Sequence, residues 1–135
     1  LYMPTHNKKD KKTGLPKNYV PDTLTKADRK KQIDSIKKGK PRPKLESFKS
    51  KRSGYVARFE KKYGTKISNR KFIHDNIITY AGQDKILKKG MAAYYSSGSR
   101  PNQTATSWSL ARLGSVILGG PARRVDKAIW EKYKR

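Results

Sequence analysis

Trp108-Ser109-Leu110-Ala111-Arg112-Leu113-Gly114-Ser115-Val116-Ile117-Leu118-Gly119-Gly120-Pro121 is the stretch on which the fold class turns. Trp108, Ala111, Leu113, Val116 and Ile117 make it an apolar-bearing helix, and Gly119-Gly120 ends it. Pro121 suits the first position of another helix, where its missing N–H costs nothing, and Val125, Ala128, Ile129 and Tyr133 supply that helix's stripe.

Working toward the N-terminus, the same grammar repeats. Ser53 is placed to cap a helix with Tyr55, Val56, Phe59 and Tyr63 on one face, closed by Gly64. Ser68 is placed to cap the next, with Phe72, Ile73, Ile77 and Tyr80 on one side and Gly82 closing it, and a short piece at Asp84–Lys89 ends at Gly90. No strand alternation rises above this pattern. The expected fold class is all-α, with a compact helical domain over 54–135.

Residues 1–53 read differently. They hold 17 Lys and Arg against 5 Asp and Glu, with Pro4, Pro16, Pro21, Pro41 and Pro43 scattered among them. A segment of this composition buries too little apolar surface to offset its ordering entropy, so it reads as a long, extended basic arm. One piece has local order: Thr25 with Asp28 three residues on is an N-terminal capping pattern, Ile33 and Ile36 follow, and Gly39 closes. This predicts a short helix over about 26–38. Lys40-Pro41-Arg42-Pro43-Lys44 after it should be extended and polyproline-like.

Over 135 residues the chain carries 34 Lys and Arg against 10 Asp and Glu, a formal charge of +24. Such a chain attracts any polyanion within a Debye length. Candidate partner-binding cations are Lys8, Lys9, Lys11, Lys12, Arg29, Lys30, Lys31, Arg42, Lys44, Lys51 and Arg52. Phe48, outside any expected helix and beside Lys49, is a candidate anchor into a partner. Tyr55 beside Arg58, and Tyr63 beside Lys61 and Lys62, read either as stacking rings or as plain core.

No apolar run approaches the length of a spanning helix, and the start lacks the apolar core of a signal peptide, so a soluble, non-secreted chain is expected. The absence of cysteine excludes disulfides, thiolate metal ligands and a cysteine nucleophile. His6 and His74 have few carboxylates near them in sequence and no HExxH spacing. The expectation is a non-enzymatic protein without metal or cofactor.

The polar run Tyr95–Thr104 carries Ser96, Ser97, Ser99, Arg100, Asn102 and Thr104 ahead of a helix N-terminus. It reads as an anion-binding loop, or as a structural loop whose side chains cap the Trp108 helix and satisfy buried backbone groups. It lacks the GxxxxGK[ST] pattern of a nucleotide loop. Asn102-Gln103-Thr104 matches a glycosylation sequon, a chance match in a chain without a secretory signal.

Two stretches carry a resemblance. Lys17–Gly64 includes Leu24-Thr25-Lys26-Ala27-Asp28-Arg29-Lys30-Lys31-Gln32-Ile33 and Arg42-Pro43-Lys44. Gly90–Trp130 includes Tyr94-Tyr95-Ser96-Ser97-Gly98-Ser99-Arg100-Pro101-Asn102-Gln103-Thr104 and Gly119-Gly120-Pro121-Ala122-Arg123. They resemble a family of small basic proteins of large nucleocytoplasmic DNA viruses of algae and protists. The resemblance implies a context and no active site: a virion component, made in the host cytoplasm. On that basis the expectation is a minor capsid protein whose arm bridges capsid subunits. The alternative is a protein binding DNA or RNA, in genome condensation or with the ribosome.

Overall fold

Thr25 opens the first helix as its spacing predicts: its hydroxyl accepts the Asp28 amide at 3.2 Å, and α1 runs Lys26–Lys37. It belongs to a computed structural model that describes residues 14–48 and 53–135. Helix α2 follows at Gly54–Tyr63. It stops at Gly64, whose φ of 66° suits a residue without a β-carbon and whose N–H reaches the Glu60 carbonyl. The all-α class holds, since no strand longer than an isolated bridge occurs among the described residues.

The middle of the chain departs from the expected punctuation. Helix α3 (Arg70–Asn76) is capped by Asn69, which accepts the Phe72 amide, and not by Ser68. It ends before Ile77, where the amides of Ile77 and Ile78 both turn onto the Ile73 carbonyl. Thr79 then caps α4, which runs Tyr80–Ser97, straight through Gly82 and Gly90. Neither glycine is a stop signal; both are places of close approach. A β-carbon on Gly90 would lie 2.6 Å from the Ser109 Cα, and one on Gly82 would lie 2.5 Å from the Tyr133 Cβ. The absent side chains let α4 press against the two segments it packs on.

Helix α5 (Ala105–Ile117) begins with a reciprocal capping box: Thr104 accepts the Ser107 amide and Ser107 accepts the Thr104 amide. It is the axle of the molecule. All residues from Trp108 to Ile117 except Leu110 are buried, because α4, α2 and α6 (Pro121–Val125) surround it. A helix that is apolar around its circumference is stable only when enclosed, and each of Leu113, Val116 and Ile117 contributes about 1.5–3 kcal/mol by leaving water. The single helix expected after Pro121 is instead two. Asp126 breaks it, α7 follows at Lys127–Tyr133, and Val125, expected in the apolar stripe, is 44% exposed. The tail closes on the α3–α4 turn through the Thr79 amide to the Tyr133 carbonyl and the Arg135 amide to the Ile77 carbonyl. No helix among the described residues is long and apolar enough to cross a membrane.

Over residues 14–48 the basic N-terminal segment lies on this helical body as a strap. Tyr19, Val20, Leu24, Ile36 and Leu45 are buried in the same core as Trp108 and Leu113, and the Tyr19 ring meets Trp108 edge-on at 5.8 Å. Gln32, fully buried, donates to the carbonyls of Tyr19 at 2.9 Å and Ser99 at 3.0 Å, tying strap and body together. The boundary expected at 53/54 adjoins 49–52, outside the described residues, and Ser53 begins the body.

Candidate functional site

The expected partner-binding cations fall into four groups. Lys30, Lys31 and Lys44 stand exposed. Arg29 is half-buried, donating to the Val20 carbonyl at 3.3 Å with Asp22 at 3.9 Å. Lys8, Lys9, Lys11, Lys12, Lys51 and Arg52 lie outside the described residues, as does His6.

Arg42 corrects the expectation of a surface cation, because it is only 8% exposed. Its guanidinium lies 4.5 Å from the centre of the Tyr94 ring and donates to the carbonyls of Ser35, Lys40 and Tyr94. Its backbone N–H donates to the Tyr94 hydroxyl at 2.7 Å, and that hydroxyl passes its own proton to the Gln103 carbonyl at 2.9 Å. Burial pushes the guanidinium down from its ordinary pKa, partly offset by the Tyr94 and Tyr95 phenols. Held this way, Arg42 pins the turn after α1 to α4. Phe48, expected as an anchor into a partner, packs against the chain's own core.

The serine-rich run is split by its surroundings. Tyr95, Ser96 and Ser97 are the last turn of α4, with the Ser96 hydroxyl donating to the Ala92 carbonyl. Ser99 is fully buried, and Arg100 is exposed. Asn102 adopts φ of 60° and clasps the strap: its Oδ1 accepts the Leu45 amide at 2.6 Å, and its Nδ2 donates to the carbonyls of Leu45 and Phe48, each at 3.1 Å. Thr104 caps α5. The loop therefore does what the structural reading of the sequence asks of it: it caps α5 and satisfies backbone groups. Both N–H bonds of the Asn102 amide are engaged, so a sugar on this nitrogen is incompatible with the clasp.

Two pairs of side chains were not singled out as candidates from sequence. Arg112 and Asp126 form a buried two-point ion pair with both bonds at 2.8 Å, and the Lys89 ammonium approaches the same carboxylate at 3.6 Å. A lone guanidinium inside an apolar helical run was the available signal, since such a charge is buried only with a partner. Tyr95 and Met91 are large side chains left 43% and 39% exposed on α4. His74 lies at the tail contact, stacked on Tyr80 at 4.1 Å, with Nδ1 accepting the Tyr80 amide and the ring near the Arg135 guanidinium. Among the described residues no group of three His, Asp or Glu could hold a metal ion.

The surface electrostatics follow from where the acids are spent. Asp126 faces Arg112, Asp84 faces Arg70, Asp75 bonds Lys71, and Asp28 accepts from the amide and hydroxyl of Ser47. The Ser47 bonds hold the Asp28 carboxyl below its ordinary range, and the bond that Lys71 donates to Asp75 raises the Lys71 ammonium. With these acids committed, the lysines of α1 and its following turn outnumber the acids left on that segment, Asp22, Asp34 and Glu46.

Fold and surface thus define a small all-helical body wrapped by its own basic strap. The chain belongs to the family described as a family of unknown function (DUF5824), which it matches over residues 16–129, strap and body alike. No curated protein and no solved structure matches it.

Proposed function

We propose that this is a non-enzymatic nucleic-acid-binding protein that acts as a rigid, positively charged body. The observation that carries the reading is the disposition of charge. The acids named above are paired within the chain, while Lys30, Lys31, Lys37, Lys38, Lys40 and Lys44 stand in solvent, outnumbering Asp34 and Glu46 beside them, on a segment that Gln32, Arg42 and Asn102 hold in place. An array of lysines on a fixed backbone meets phosphates at the cost of ordering side chains alone. Anisotropy titration of a labelled duplex across a salt series tests it. The expected slope of log K against log salt is about −0.9 per phosphate neutralised, and six or more contacts give a loss of roughly a thousandfold or more between about 50 and 200 mM. Weak binding at about 50 mM salt would overturn the reading.

The resemblance to giant-virus proteins favours a second reading, a minor capsid protein that cements major capsid subunits. Residues 14–48 spend their contacts on the chain's own body, which supports the nucleic-acid reading over an arm run across neighbours. Cross-linking mass spectrometry on the purified particle separates the two: links from the strap lysines go to nucleotides under the first and to capsid subunits under the second.

A further inference from the structure

Two stretches of the chain contain no Asp or Glu: residues 35–44 and residues 85–104. They are distant in sequence, yet the fold lays them side by side. Arg42 is bonded to Tyr94 through backbone and side chain. Gly39 is so close to α4 that a β-carbon on it would lie 3.1 Å from the Tyr95 carbonyl, and Ile36 lies directly under Gly98. The seam between the end of α1 and the end of α4 is consequently rich in cations and poor in acids: Asp34, one turn before Lys37 and Lys38 on α1, borders it, and the acid on α4, Asp84, is held by Arg70.

Tyr95 stands in the middle of it. Its ring meets Tyr94 edge-on at 5.0 Å and 84°. Tyr94 is itself immobilised, with Arg42 over its face and its hydroxyl bonded on both sides. The exposed ring of Tyr95 is thus held against a fixed neighbour. Met91 lies one turn back on the same helix face, and Lys88 lies a further turn back. Lys37, Lys38 and Lys40 come from the α1 side.

Resting on the nucleic-acid reading above, we propose that this seam binds single-stranded nucleic acid, with Tyr95 as the ring on which a base stacks and Lys37, Lys38, Lys40 and Lys88 as its phosphate contacts. A presented aromatic ring serves an unpaired base, which has a free π-face; a duplex keeps its bases stacked on one another and offers only its backbone. The lysines on both sides of the ring match a backbone that passes across it.

The experiment is anisotropy titration of a labelled oligothymidylate of about 20 nucleotides, long enough to cover the seam, with a duplex of equal length alongside. Tyr95→Ala should weaken single-strand binding about 5- to 100-fold, the alanine cost of one base stack, and leave duplex binding and the salt slope unchanged. Tyr95→Phe should bind like the parent. Replacing Lys37, Lys38 and Lys40 by Gln should reduce the single-strand salt slope by about 2, at roughly 0.7 per contact. If Tyr95→Ala fails to fold, Tyr95→Phe against Tyr95→Leu decides instead, with leucine expected to lose affinity. Unchanged single-strand affinity in Tyr95→Ala, or equal affinity of Phe and Leu, would overturn the stacking site while salt-dependent binding of the parent leaves the broader reading standing. A parent protein that binds neither probe at about 50 mM salt would overturn both.

Discussion

Helices α1 and α5 are almost equally long, 12 and 13 residues, and are stabilised by opposite means. α5 buries Trp108, Leu113, Val116 and Ile117 among its neighbours, and its one charge is neutralised inside the body. α1 buries only Gln32, Ser35 and Ile36, and its attachment depends on directed bonds: Gln32 to two carbonyls, and Arg42 across Ser35 and Tyr94. The body is held by area and α1 chiefly by addresses, while Tyr19, Val20, Leu24 and Leu45 on either side of α1 add the strap's own share to the common core. Area tolerates small shifts, whereas a polar clasp works at one register only. A charged segment can therefore be fixed in place without making the surface less basic.

Asp126→Ala attacks the body at its most sensitive point. It leaves Arg112 buried without its carboxylate, and a loss of about 3–5 kcal/mol is expected in urea unfolding, which strap and body should report together. Gly90→Ala should cost about 2–3 kcal/mol by forcing α4 away from Ser109, although alanine favours an exposed helix by about 1 kcal/mol. A stabilised variant would show that the α4–α5 contact is looser than described. Gln32→Ala strands two buried carbonyls at a cost of about 1–2 kcal/mol. Hydrogen exchange should rise in residues 19–36 ahead of α5, and a uniform rise would erase the distinction between the regions. The smallest effect is in acid. Because the Asp28 carboxyl is lowered from 3.8, its contribution is present above that pH and is lost as pH falls through the lower folded value. Proteolysis within the strap should therefore accelerate below about pH 3.8, and Asp28→Asn should remove that acid limb.

What the sequence revealed follows the same division. α1, α2 and α5 were legible because an apolar set and a stop stand together, Tyr55 to Tyr63 before Gly64 and Trp108 to Ile117 before Gly119, and on α1 the cap Thr25 with Asp28; Ser53, expected to cap α2, stands at its N-terminus but makes no side-chain cap bond. Gly82 and Gly90 misled because a glycine that ends a helix and one that admits a neighbouring helix are the same residue. Only the tertiary contact tells them apart, as the left-handed φ of Gly64 and the Ser109 contact of Gly90 show. The strap was read as an extended arm because Tyr19, Val20, Leu24, Ile36 and Leu45 are spaced too widely among lysines to form a local pattern; they join the core only in the fold, as Tyr19 does against Trp108. The candidate loop was visible, but whether Asn102 faced an anion or the strap depended on where Leu45 came to rest. Tyr95 and Lys37 share a surface only after folding, so no sequence window contains their seam.

In a chain made from its N-terminus onward, Arg112 emerges fourteen residues ahead of the carboxylate that neutralises it. Without Asp126, enclosing α5 would bury the guanidinium apart from its carboxylate, at a cost of about 3–5 kcal/mol. The buried ion pair therefore ties the closing of the body around α5 to the segment that carries Asp126, fourteen residues further along the chain.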